Sequence, residues 1–412
     1  MGYRTRRLVA AVGVPALLLA AGCSSGGSAP GGAAATTSAT SASSSATTAG
    51  AQALAATYRP IVQSAMKEML VPGAVVLIDT PQGRWTEAFG VRTLGGTEPV
   101  TALDHFRIGS NTKTMVGTVV LQLVQEGKLK LEDPISRFEP DVPNGGAITI
   151  AQMLAMTSGL DSYTFLESFE HTLDTEPQKV WNPQDLARMG EAMPPKFAPG
   201  AGFLYSNTNT VLLGLVIEKL TGQTLEQALN ERVYAKLGLK NTSFPALVDN
   251  ALPSPHPHGY MFGTNVSTLV DAALPAAEQA AARAGTLKPN DHTDDNPSWG
   301  WAAGAAISTA DDLAVYAKAL ATGGLLDPAT QKTRVESLKP VGSGTSAYGL
   351  ALARYGAMIG HDGSLPGYQS LAVHNPKTST TLVVLTNLQL SVEGQTTAKE
   401  IGNRIMATLP TE

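Results

Sequence analysis

The sequence predicts an α/β (α+β) domain whose sheet is completed by both ends of the folded chain, with a mostly helical region inserted between them. Three observations predict this: strand-like runs early in the globular part, helical periodicity through the middle, and a return to strand-like runs before a closing helix. The chain has 412 residues, 43% of them hydrophobic and 15% charged, which is enough for a substantial core.

Taken in order, Leu54 to Leu70 has helical character, and Pro60 marks either a break or the true start. Ala74-Val75-Val76-Leu77-Ile78 and Arg84 to Phe89 read as two strands joined by the turn Pro81-Gln82-Gly83. Phe106-Arg107-Ile108 leads into a helix that starts at Ser110. Met115, Val116, Val119, Val120, Leu123 and Val124 recur there at helical spacing, and Gly127 stops it. Further helical patterns follow, such as Thr210 to Leu220 closed by Gly222. Ser346 to Leu352, Gln369 to His374 and Thr380 to Thr386 read as strands, and Gln395 to about Leu409 as the last helix. The globular region 53–412 therefore divides into an α/β part, about 53–125 and 300–412, and a helical part, about 126–299.

The N-terminus reads as a targeting segment. Arg4, Arg6 and Arg7 precede an apolar run, Leu8 to Ala21, that is too short to span a bilayer. Leu19-Ala20-Ala21-Gly22-Cys23 resembles a bacterial lipobox, with Ala20 where Leu is usual. Residues 1–22 are then a signal peptide, and acyl chains on Cys23 anchor the exported protein to the outer face of the cell membrane. Cys23 is the single cysteine, so no internal disulfide forms. Residues 23–52, almost wholly Ser, Gly, Ala and Thr, read as a disordered tether. A net charge of −5 and the lack of a basic cluster beyond the first residues argue against nucleic acid.

The candidate chemistry begins at Ser110-Asn111-Thr112-Lys113. On a helix, positions i and i+3 share a face, so hydroxyl and amine can meet. Serine needs a neighbouring base, and lysine serves only if burial or nearby charge lowers its pKa. A helix start also offers backbone N–H groups to an oxyanion. Tyr205-Ser206-Asn207 supplies a phenol and an amide from a loop before a helix. His361-Asp362-Gly363-Ser364 precedes the strand at Gln369, with a glycine that permits close approach to the backbone.

Together, Ser110-x-x-Lys113, Tyr205-x-Asn207 and His361-x-Gly363 resemble the three motifs of the serine β-lactamase and penicillin-binding-protein superfamily. The chain is most similar to class C β-lactamases and soluble serine DD-carboxypeptidases. The likeness extends to LQLVQEGKLKL at Leu121–Leu131, IAQMLAMTSG at Ile150–Gly159 and SWGWAAGAAISTADDL at Ser298–Leu313. It implies an antiparallel sheet flanked by helices and a hydrolase that works through an acyl-enzyme on Ser110. Lys113 and Tyr205 would share the proton transfers, with the base assigned to neither. Asn207 would hold a substrate amide, His361 would stand beside Tyr205, and Trp299 would line the cleft. The N–H groups of Ser110 and Ser364 would form the oxyanion hole. The expected substrate is an acyl-D-Ala-D-Ala peptide or other small molecule of the cell envelope, with an ester or a β-lactam as the alternatives. A monomer without metal or other cofactor is expected.

Two departures bear on specificity. Asp362 stands where hydroxyl residues are usual, and its carboxylate would repel a substrate carboxylate if it faced the cleft. The arginine that related carboxypeptidases carry just before the third motif aligns with Ala353, beside Arg354, and a one-residue slip in a strand reverses the facing. Other motif-like stretches are weaker. Gly22-Cys23-Ser24-Ser25-Gly26 matches a nucleophile pattern but lacks its strand-turn-helix frame. His256-Pro257-His258 and Asp291-His292-Thr293-Asp294-Asp295 lack the frame of a zinc site and read as solvated loops.

Overall fold

The computed structural model describes residues 38–342 and 344–411. Residues 1–22, expected to be a signal peptide, Cys23 and the Gly22–Gly26 pattern lie outside the described residues. The chain divides into Met1–Ser43 and Ser44–Glu412, and the second unit carries the sheet and the site. A helix spans Ser38–Met69, with Pro60 inside it and not at its start. Residues 38–52, read from composition as tether, are thus helical here. Alanine's high helix propensity works with an anchored C-terminal half, where Tyr58, Val62, Ala65, Met66 and Met69 bury one face against the sheet.

Among the described residues twelve strands follow: β1 (Gly73–Thr80), β2 (Gly83–Gly90), β3 (Phe106–Arg107), β4 (Tyr260–Met261), β5 (Asn290–Asp291), β6 (Ile307–Ser308), β7 (Lys339–Pro340), β8 (Ser346–Gly349), β9 (Leu352–Tyr355), β10 (Met358–Leu365), β11 (Tyr368–Asn375) and β12 (Thr380–Thr386). Eight of them form one sheet in the order β2-β1-β12-β11-β10-β9-β8-β7. The pairs along it are antiparallel, and β1 from one end of the fold lies against β12 from the other, with Val76 opposite Val384. Both faces are buried, which is why β1 and β12 read as nearly unbroken apolar runs. Val75, Leu77, Val383 and Leu385 face one core, while Ala74, Val76, Ile78, Leu382 and Val384 face the other. The first core also holds the helix Asn111–Gln125; the second is closed by the N-terminal helix and the helix Thr397–Met406.

The middle of the chain supplies the helices Glu167–Thr175, Pro183–Glu191 and Asn207–Thr221. It is not wholly helical, because β4 pairs with β5. The Tyr260 amide also reaches the Asn387 carbonyl at 2.9 Å, tying this excursion to the end of β12. His361–Ser364, expected ahead of a strand, is itself part of β10.

Candidate active site

Ser110 is the N-cap of the helix Asn111–Gln125, and its side chain caps nothing, so the hydroxyl is not consumed by the helix. The two residues between Ser110 and Lys113 pin the turn. Asn111 Nδ2 donates to Ser370 Oγ at 2.8 Å, and Ser370 Oγ donates to the Ile108 carbonyl at 2.7 Å. Thr112 Oγ1 donates to the Gly109 carbonyl at 2.7 Å and accepts from the Ala306 amide at 3.2 Å. Farther along, the buried Arg334 donates to Thr118 Oγ1 at 2.8 Å and to the carbonyls of Thr114 and Ala351 at 3.1 and 2.8 Å. These bonds fix the helix against the sheet.

Lys113 is 1% exposed. Its Nζ lies 3.0 Å from Ser110 Oγ and 2.7 Å from the Ala303 carbonyl. Burial lowers its pKa to about 7, against the opposing pull of Asp362. A neutral amine keeps two N–H donors and gains a lone pair. One N–H then satisfies Ala303, and the lone pair can accept the Ser110 proton.

Tyr205 stands over this pair, with Lys113 Nζ 4.9 Å from its ring centroid. Its hydroxyl is buried without a hydrogen-bond partner of ordinary geometry. Burial and then Tyr348 hold its pKa well above the usual phenol value; the nearby Ser110 hydroxyl pulls the other way. Tyr205 therefore stays protonated, a free O–H aimed at the reacting centre. The loop carrying it is fastened to Asp161, whose carbonyl accepts from Ser206 Oγ at 2.9 Å and Thr208 Oγ1 at 2.7 Å. Asn207 Nδ2 donates to Thr164 Oγ1 at 3.1 Å, which leaves its carbonyl oxygen to accept a substrate N–H.

His361 lies beside Tyr205, with ring centroids 6.0 Å apart, but its hydrogen bond goes to Tyr348. Its Nδ1 faces the Asp362 carbonyl, so that nitrogen carries the proton, and Nε2 accepts from the Tyr348 hydroxyl at 3.2 Å. Burial lowers its pKa to about 4, so it is neutral at physiological pH. Gly363 is required by packing and not by ligand approach, because a Cβ there would lie 2.0 Å from the Ile108 carbonyl oxygen. Gly109, at φ 51°, is pressed from the other side, and its Cβ would lie 2.7 Å from the Ser364 amide nitrogen.

These contacts bring β10 against the turn before Ser110. β9 pairs with β10 only as far as Gly360, so residues beyond it have an open edge toward Ser110. Leu365 and Tyr368 close the turn Pro366-Gly367, and antiparallel pairs alternate in bonding. The Ser364 N–H, one pair further in, points to that open edge. With the Ser110 N–H it can form an oxyanion pair.

The resulting cleft holds about 400 Å³. Ser110, Tyr205, Asn207, His361 and Ser364 line it, with Phe203, Tyr348, Tyr355, Asp362 and Lys399. Trp299, expected in this wall, is not there. It packs edge-on to Phe169, with centroids 6.3 Å apart, and lines a separate small cavity with Arg107 and His292. Asp362 does face the cleft. Its carboxylate accepts from the Tyr355 hydroxyl and lies 3.4 Å from Lys399 Nζ. Burial alone would raise its pKa, but Lys399, His361 and the Tyr355 hydroxyl outweigh that and hold it below the usual value. Ala353 and Tyr355 line the cleft and Arg354 between them does not, as strand alternation requires. Tyr348, Tyr355 and Lys399 carry no signature in the sequence that links them to Ser110.

His258 pairs with Asp291 and His292 with Asp295, each at 2.7 Å. Among the described residues no three His, Cys, Asp or Glu side chains gather at one point, and no helix is long and apolar enough to cross a membrane.

The family model described as Beta-lactamase matches residues 59–403. The chain is similar to a D-stereospecific amidohydrolase from Streptomyces sp., 30% identical at a TM-score of 0.70 over 84% of this chain and 97% of that one. It is also similar to the esterase EstB of Burkholderia gladioli, 30% identical over 57% of this chain and 62% of that protein. A third relative is the protein flp of Staphylococcus aureus, 32% identical over 45% of this chain and 37% of that protein. The chain thus spans less than two thirds of the length of these two curated relatives.

Proposed function

This chain belongs to the Beta-lactamase family, and on that footing we propose that it is an acyl-enzyme hydrolase of amides or esters that lack a carboxylate beside the scissile bond. Neutral Lys113 takes the proton from Ser110 Oγ as the oxygen attacks the carbonyl carbon. The N–H groups of Ser110 and Ser364 stabilise the oxyanion. As the tetrahedral species collapses, Tyr205 donates its proton to the departing nitrogen or oxygen and recovers one from Lys113. Water then attacks the ester on Ser110 by the reverse path and returns the proton to Oγ.

The observation that carries the substrate reading is the charged Asp362 carboxylate on the cleft wall, together with Arg354 outside the cleft lining. A terminal carboxylate entering there meets like charge with no arginine to offset it. Similarity to an amidohydrolase and to an esterase points the same way. A second reading, a D-Ala-D-Ala carboxypeptidase, has Lys399 in its favour, since its ammonium could leave Asp362 for a substrate carboxylate.

Purified protein incubated separately with D-alanine amide, short acyl esters and acyl-D-Ala-D-Ala peptides separates the two. Turnover of amides or esters without release of D-alanine is expected. Rapid D-alanine release with inert amides and esters would overturn the first reading in favour of the second. We place the protein on the outer face of the cell membrane, held through Cys23. A Cys23→Ala variant is expected in the soluble fraction, and one that stays with the membranes refutes the anchor.

A further inference from the structure

A second cavity of about 320 Å³ adjoins the catalytic cleft along the helix Thr397–Met406. Ser346, Tyr355 and Lys399 line both cavities, and Asn403, Met406 and Ala407 continue the wall away from Ser110. We propose that this second cavity is a substrate subsite, which receives the part of a peptide substrate remote from the scissile bond. The proposal rests on the acyl-enzyme reading and narrows its substrate class to peptides longer than a single amino-acid amide.

The junction is the first argument. Among the described residues the two spaces share three side chains, and Lys399 is the long one. Its ammonium lies 3.4 Å from the Asp362 carboxylate and 4.8 Å from the Tyr355 ring centroid, with 31% of the side chain exposed. Contacts of this kind between partly exposed groups are weak, so a substrate can displace the lysine side chain without a large cost. The second argument is direction. Lys399, Asn403 and Met406 stand at i, i+4 and i+7, one face of one helix. That face runs from the cleft outward as a row of ammonium, amide and thioether. The third argument is chemistry. Amides and hydroxyls of Ser346, Asn375 and Asn403 alternate with the apolar surface of Met358 and Met406, which suits a chain of peptide bonds and side chains better than a uniform acyl tail. Binding energy gained there can be used at the reacting bond.

The test compares p-nitrophenyl acetate with D-alanyl peptides lengthened one residue at a time on the acyl side or on the amine side, read by product chromatography. In the unmodified protein, extension on one side is expected to raise kcat/KM by about tenfold, equivalent to about 1.4 kcal/mol of added binding. Ala407→Trp fills the second cavity from an exposed helix end, and it should remove that gain, lowering the ratio of long-peptide to acetate kcat/KM by the same factor. Fluorophosphonate labelling of the variant at Ser110 verifies that its fold and nucleophile are intact. No gain on extension of either side, or a gain that persists in Ala407→Trp, overturns the subsite. Acetate turnover without any length effect would sink this proposal alone, whereas absence of all turnover would sink the acyl-enzyme reading beneath it.

Discussion

Ser110→Ala is expected to abolish covalent labelling by a fluorophosphonate and to lower hydrolysis on the order of 10⁶-fold, the scale reached when a serine nucleophile is deleted from a comparable constellation. The helix start does not depend on this side chain, and Lys113 keeps the Ala303 carbonyl when the hydroxyl is removed. The Ser110 side chain caps no backbone group, and the helix start is held by Asn111, Thr112 and Ser370. The thermal midpoint should therefore stay where it is. Intact-protein mass after incubation with the probe reads the outcome directly. An adduct on the variant, or turnover near the original rate, would place the nucleophile elsewhere.

Lys113→Ala is expected to slow acylation by roughly 10²–10⁴-fold, the range for loss of a positioned general base. It should also alter the pH profile. With its pKa at about 7, Lys113 is mostly an ammonium in mildly acidic solution and mostly a free amine above neutrality. Only the free amine can take the Ser110 proton, so kcat/KM of the unmodified enzyme should rise with pH through about 7 and then level. The variant should lose that inflection together with the rate. His361, with its pKa near 4, is neutral throughout this window and contributes no step to it. An inflection near 7 that survives in Lys113→Ala would assign the base to another group, and Tyr205, held well above the usual phenol value, could not be its source.

The sequence exposed the parts of this site whose logic is local. Ser110 and Lys113 are one helical turn apart, and Tyr205 and Asn207 sit in three consecutive residues at a helix start. The strand pattern around His361 and Gly363 also repeats over a short window. Sheet order was legible in outline, since strands at both ends of the folded chain must share one layer. Tyr348, Tyr355 and Lys399 were not legible. They reach the cleft because β8 and β9 lie edge to edge and the last helix, packed on β11 and β12, sets Lys399 over the Tyr355 ring, which no short pattern encodes. The facing of Ala353 and Arg354 depends on which residue pairs with Gly360, a register that composition leaves open. Trp299 was misplaced because an aromatic near a motif can as easily serve the packing of Phe169. Gly363 was found for the wrong reason: the space it keeps free belongs to the Ile108 carbonyl.

The neighbouring strands β1 and β12 have a consequence for how this protein is made. The Gly73 amide bonds the Asn387 side chain, a partner 314 residues away. A nascent chain can assemble its helices early, but β1 has no partner on its β12 side until the chain some 314 residues further on has left the ribosome. Closing so distant a pair is slow, and until it happens β1, paired on one side with β2, leaves its other edge unprotected.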